Sequence, residues 1–269
     1  MQKRALFGRY IDIPLKEEPL YFFPYTQRYR TKRDMHYHNG MEIGLCIGGE
    51  GIFFLEDKLC HFCRGDVSVV LTGERHIAQS PNHNPSEWYF LNIDPEALGL
   101  SFPTYMASPI LSDKNITELM QLICRELDGR REDSADYVIP LLRALAVCLH
   151  RSNEGIEHVP VDNESSETIL PALSYMAQHY MEDITVEQLA KECFLSVPYF
   201  RRVFKRCTQI SPMSYLAEVR LKMAAVLLRS TNDPISEIAL NVGFITLSAF
   251  NRKFHDYYGM SPREWRKSL

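Results

Sequence analysis

Up to about residue 95 the apolar positions come in short runs. These are 41–47 (MEIGLCI), 51–55 (GIFFL), 67–71 (VSVVL) and 88–93 (WYFLNI). Turn-forming residues separate them: Gly48-Gly49, Arg64-Gly65-Asp66, Thr72-Gly73 and 81–85 (PNHNP). Short runs rich in β-branched and aromatic residues, closely spaced by turns, predict strands of a sandwich or barrel. No helix-length periodic segment interrupts them, so a wound α/β sheet is not expected. The first half is predicted to be mainly β.

The period then changes. Over 115–127, Ile116, Leu119, Met120, Ile123 and Leu127 fall on one helical face, and over 137–149 Val138, Leu141, Leu142, Leu145 and Leu149 do the same. Residues 152–167 (SNEGIEHVPVDNESSE) are polar, acidic and punctuated by Gly and Pro, which predicts a linker. The expected division is therefore 1–151, a linker over 152–167, and an all-helical domain over 168–269.

That last domain repeats itself. The segment 184–190 (ITVEQLA) aligns with 233–239 (DPISEIA), and 199–204 (YFRRVF) aligns with 249–254 (AFNRKF). The offset is 49 residues before the turn and 50 after it, so one residue is inserted at the second turn. Each copy predicts a short helix, a tight connection and a second helix, with Thr185 and Gln188 forming one capping box and Ser236 helping to start the counterpart. Phe200, Val203 and Phe204, or Phe250 and Phe254, point into a core. The opposite faces carry Pro198, Arg201, Arg202 and Lys205 near 197–206, and Thr246, Leu247, Ser248, Asn251 and Arg252 near 246–255. Short polar groups and guanidinium forks on an exposed helix suit the edges and phosphates of double-stranded DNA. Periodicity alone fits a helical bundle with a basic surface as well.

Charge adds weight to the DNA reading. The net charge of -4 is uneven: residues 1–167 hold 17 Lys+Arg against 25 Asp+Glu, and residues 168–269 hold 13 against 9. An acidic domain is joined to a basic one. With 45% hydrophobic and 24% charged residues, wholesale disorder and fibrous structure are excluded. No apolar run approaches the ~20 residues of a membrane helix. Asp12 and Pro14 interrupt the start before a signal-peptide core forms, so a cytoplasmic protein without a membrane partner is expected. Seven scattered cysteines suit a reducing compartment, and the lone Cys60-x-x-Cys63 pair lacks a second thiol pair for structural zinc.

Residues 168–269 resemble the double helix-turn-helix domain of AraC/XylS-family transcription regulators. The resemblance rests on Arg220-Leu-x-x-Ala224, Pro234-Ile235-x-x-Ile238-Ala239 and Val242-Gly243-Phe244. It continues through Ser248-x-Phe250-x-Arg252-x-Phe254 and Gly259-x-Ser261-Pro262-x-x-x-Arg266. Gln209 stands where a glycine is usual and His255 where a lysine is usual. The first implies some backbone strain, the second the loss of a phosphate contact. The resemblance implies a homodimer using the 115–127 helix, an operator read through positions 198, 201, 202, 248 and 252, and RNA polymerase as a further partner.

In the first domain His36, His38, Glu42 and His76 carry the chemical content. His36 and His38 share a strand face, and Glu42 lies at an even spacing beyond them if no bulge intervenes. The pattern resembles two cupin motifs: His-x-His-x₃-Glu ending at Gly49, with Arg30 at the leading glycine, then Gly65, Gly73 and His76. The implied fold is a cupin-like barrel. Three imidazoles and a carboxylate would suit Zn, Ni, Mn or Fe, or, without metal, a polar pocket for a small effector. For a carbohydrate effector, Arg28, Arg30, Arg33, Glu42, Trp88 and Tyr89 are candidate contacts. The leading expectation is an effector-controlled regulator without enzymatic activity. The alternative is a metal sensor or metal-dependent sugar-modifying enzyme fused to a DNA-binding domain.

Overall fold

A computed structural model describes residues 8–26, 35–81, 85–129, 131, 133–154 and 163–268. The strands are β1 (Arg9–Ile11), β2 (Leu20–Thr26), β3 (His36–His38), β4 (Met41–Gly48), β5 (Glu50–Leu55), β6 (Lys58–Cys63), β7 (Val67–Val70), β8 (His76–Gln79), β9 (Glu87–Ile93) and β10 (Ile110–Leu111). The helices are α1 (Lys114–Asp128), α2 (Ser134–Ser152), α3 (Asn163–His179), α4 (Val186–Glu192), α5 (Val197–Thr208), α6 (Pro212–Ser230), α7 (Ile235–Asn241), α8 (Leu247–Tyr258) and α9 (Pro262–Lys267). None of them is long and apolar enough to cross a membrane. The chain leaves α2 and enters α3 within the segment whose composition predicts a linker.

The strands form two five-stranded sheets, in the orders β1-β3-β8-β5-β6 and β10-β7-β4-β9-β2. Period-two alternation gives each sheet two apolar faces, because both are covered. On β4, Met41, Ile43 and Leu45 pack against Ile116, Met120 and Ile123 of α1 and Leu142 and Leu145 of α2. Cys46 of the same strand joins Phe53, Phe62, Trp88 and Phe90 between the sheets. On the other sheet, Ile52, Phe54 and Ile77 face outward into the core that contains α3 and α6. The cupin-like barrel thus lies between the α1–α2 hairpin and the helical domain. Strand β2 carries Pro24 and occupies a sheet edge, where a missing N–H costs no ladder bond.

The α1 stripe is buried against its own barrel through Ile116, Met120 and Ile123. The outward apolar positions of the hairpin are Leu122, Tyr137 and Val147, all exposed.

In the helical domain the observed elements reproduce the offsets. Helix α7 follows α4 by 49 residues, and α8 follows α5 by 50. Thr185 and Gln188 form the capping box of α4. Pro234, with no side-chain cap bond, precedes α7, and Ser236 lies inside that helix instead of capping it. Phe200, Phe204, Phe250 and Phe254 are fully buried, each worth roughly 1.5–3 kcal/mol of transfer free energy. Arg220 clamps the end of α3 by donating from Nε to Tyr180 O at 2.7 Å and from Nη2 to Glu182 O at 2.7 Å. Arg266 donates to Asp233 O at 2.8 Å and ties α9 to the loop before α7.

Candidate functional sites

The second helices of the two motifs, α5 and α8, begin from distinct caps. Thr246 Oγ1 accepts the Ala249 N–H at 3.2 Å and starts α8, while Ser196 starts α5 without a side-chain bond. Once the apolar positions are buried, Pro198, Arg201, Arg202 and Lys205 lie exposed on α5. Thr246, Ser248, Asn251 and Arg252 lie exposed at the equivalent end and face of the second motif. At the two turns, Phe194 adopts φ 55° and Gly243 φ 91°. The inserted residue is Ile245, which is 83% exposed beside the cap of α8. It breaks the expected pattern of short polar contacts, and only its position outside the core period could have marked it. Helix α5 ends at Gln209 with φ 64°, and α8 ends at Gly259 with φ 73°, so the substituted glycine position is left-handed in both copies.

Inside the barrel His38, Glu42 and His76 converge, all buried, with their ligand atoms within 4.8 Å of one another. They do so by a route that even spacing does not describe. Strand β3 ends at His38, the chain turns through Asn39-Gly40, and β4 begins in the other sheet. Asn39 pins the turn by pairing with Ile13 N and O, both at 2.8 Å. A side chain at Gly40 would run into Leu15. His38 and Glu42 therefore face each other across the barrel interior.

His38 Nδ1 lies 2.9 Å from Gly40 O, and His76 Nδ1 lies 3.1 Å from Glu74 O. A carbonyl can only accept, so each Nδ1 donates and, in a neutral ring, Nε2 keeps its lone pair. Those Nε2 atoms stand 3.3 and 3.4 Å from the two oxygens of Glu42. Neither makes an aligned hydrogen bond, and both are buried. Burial would raise the carboxyl of Glu42, but the two facing imidazoles outweigh it and hold it well below the usual range. Burial would likewise lower His38, and Glu42 outweighs that, raising it. Asn92 Nδ2 donates to Glu42 at 3.4 Å. A divalent ion fits this donor set: two oriented imidazoles with bare, buried nitrogens and an ionised carboxylate.

His36 lies opposite His76 in the ladder, with ring centroids 4.2 Å apart. It does not join the converging three, because it is one pleat further along β3 from the turn that brings Glu42 in. Trp88 is fully buried, stacked on Phe90 at 5.4 Å and edge-on to Phe62 at 4.8 Å. It is an interior core residue instead of an open aromatic platform. Tyr89 faces the helices and stacks on Phe22. Arg28, Arg30 and Arg33 lie outside the described residues. Cys60 and Cys63 are three apart on a regular strand and so point to opposite faces, which removes them as a chelating pair.

Both halves of the chain match known domain families. Residues 19–172 match the family model of the AraC-like ligand binding domain, and residues 189–268 match a helix-turn-helix domain. The chain belongs to the AraC family. The Lactose operon transcription activator of Staphylococcus xylosus is 25% identical, over 81% of this chain and 80% of that protein. The HTH-type transcriptional activator RhaR of Mannheimia succiniciproducens is 23% identical, over 89% of each. The DNA-binding domain of AdpA, solved in complex with a target DNA, is 27% identical at a TM-score of 0.37, over 38% of this chain and 91% of that one. This AraC-family protein is a DNA-binding transcription regulator with a ligand-binding domain, and the relatives above are themselves regulators.

Proposed function

We propose that this regulator reads two successive major grooves, one with α5 and one with α8, under the control of a small molecule bound in the barrel. The observation that carries the reading is the exposed polar face repeated on two helices at a fixed offset, braced by the single helix α6 between them. Pro198, Arg201, Arg202 and Lys205 serve the first groove, and Thr246, Ser248, Asn251 and Arg252 the second. N-terminal residues of such helices reach base edges, and two heads about 34 Å apart span one turn of DNA. A carbohydrate is the effector class suggested by a relative that activates a lactose operon. The division into 1–151, 152–167 and 168–269 belongs to the same proposal. So does a homodimer formed through the exposed Leu122, Tyr137 and Val147 of the α1–α2 hairpin, with RNA polymerase as the further partner.

The test is separate substitution of the two arginines. Arg202→Ala and Arg252→Ala should each weaken specific binding by about 1–3 kcal/mol and relax preference at base pairs one helical turn apart. Footprints in which both variants lose the same base pairs would refute two heads.

A second reading of the barrel is favoured by the bare nitrogens of His38 and His76. They and Glu42 would hold Zn, Ni, Mn or Fe, making the protein a metal sensor or placing an ion beneath the effector. A bound ion would supply positive charge and open coordination positions for oxygen atoms of a ligand. His38 and His76 would be kept in ligating orientation by Gly40 O and Glu74 O.

A further inference from the structure

On the outer face of α5 the guanidinium of Arg202 lies over the ring of Tyr199, its Cζ 5.0 Å from the ring centroid. The two residues are three apart on one helix, so they are surface neighbours. Tyr199 is 43% exposed and contributes nothing to the core that Phe200 and Phe204 fill. An aromatic ring left on a surface that must meet DNA calls for a reason beyond packing.

We infer that Tyr199 is a positioning residue for base recognition: its ring holds the Arg202 guanidinium flat, leaving the donor edge free for the O6 and N7 of a guanine. The inference rests on the reading of Arg202 as a base contact. A free arginine side chain has many rotamers to lose on binding. Stacking on a ring face removes much of that freedom beforehand while blocking none of the in-plane donors, since the cation–π contact uses the face of the guanidinium and the base uses its edge. Bidentate pairing with guanine demands that planar orientation. The second motif lacks this device. At the offset of 50, Arg252 matches Arg202, but Ala249 stands in the place of Tyr199 and has no ring to offer. The first head is therefore the stricter reader of its contact.

The experiment selects from a pool of random-sequence duplexes with the full-length protein and compares Tyr199→Phe, Tyr199→Ala and Arg202→Ala at fixed salt. Thermal unfolding confirms that each variant is folded. Tyr199→Phe keeps the ring and should keep the profile. Tyr199→Ala should lose about two- to fivefold in preference, confined to the base pair that Arg202→Ala also relaxes, with an unchanged salt dependence. Loss with Arg202→Ala but none with Tyr199→Ala overturns the brace and leaves the base contact standing. Equal losses in Tyr199→Phe and Tyr199→Ala overturn it in favour of a hydroxyl contact to DNA. Uniform weakening across all sequences in Tyr199→Ala overturns it as well. If Arg202→Ala relaxes no base pair, the reading of Arg202 fails and the brace with it.

Discussion

Each of His38 and His76 has one ring nitrogen committed to a backbone carbonyl and the other left buried against Glu42. Leaving polar atoms buried without aligned partners is costly, typically about 1–3 kcal/mol per group. An ion between them would turn that cost into ligation. If the protein is purified without chelators, an anomalous scan or elemental analysis should find a transition metal. His38→Ala should lower its occupancy by at least about tenfold, since even second-sphere changes reach that size. Metal retained at the original level in the variant would place it elsewhere. Of the four candidates, the His-x-His-x₃-Glu spacing made His38 and Glu42 legible in the sequence, and the separate Gly65, Gly73, His76 pattern supplied the third. The fourth, His36, was not separable from them, because strand alternation shows only that it shares a face with His38. How far each side chain stands from the turn that brings in Glu42 is a tertiary matter.

Between elements, one tight joint lies where the turn after α7 passes α3 and α6. Gly243 sits at φ 91°, and a Cβ there would lie 2.7 Å from Tyr180 O and 2.9 Å from Arg220 Nε. Those are the two atoms joined by the Arg220 clamp. Gly243→Ala should therefore cost about 1–3 kcal/mol in denaturant unfolding, through both the backbone angle and the displaced clamp. Unchanged stability would mean that the loop shifts freely and the clamp is not a constraint. Glycine at this position is readable from sequence as a turn residue, but its neighbours come from segments about 20 and 60 positions away, beyond what any local period reports. Helix α1 teaches the same lesson. Its apolar stripe is plain in the sequence, yet it covers the barrel's own sheet, and only the residues off the stripe remain for a partner.

At the scale of the whole molecule, α6 connects the two helix-turn-helix motifs and also lies on the outer face of the sheet whose inner face carries His38 and His76. Lys222 donates to Leu59 O at 2.7 Å, and Arg229 lies 3.5 Å from Glu50, which is buried and also faces His61 at 3.4 Å. Arg75, next to His76 on the chain, pairs with Glu167 of α3 at 3.0 Å. The sheet is one strand thick, so only its own backbone separates the His/Glu cluster from the helical core behind it. Replacing Lys222 and Arg229 together by alanine should leave both halves folded. It should speed amide exchange along β6 by about tenfold, the equivalent of one or two lost hydrogen bonds. Exchange in β6 unchanged from wild type would show that apolar packing alone holds the two halves together.

Taken by itself, the sequence determined what depends on local spacing. Short apolar runs between turn residues marked β4, β5, β7 and β9, the 3.6-residue period marked α1 and α2, and the 49/50 offset marked two helix-turn-helix motifs with an inserted residue, found as Ile245. Those features survive because alternation and helical pitch act within a few residues of one another. The tertiary structure decided which buried faces meet. It sent His38 and Glu42 into different sheets through Asn39-Gly40, seated α6 on β5, and turned Trp88 into core. It also laid Arg202 on Tyr199. These outcomes follow from competition among apolar surfaces distant in sequence, where free energy depends on the area that two faces can bury together and not on the pattern of either one alone.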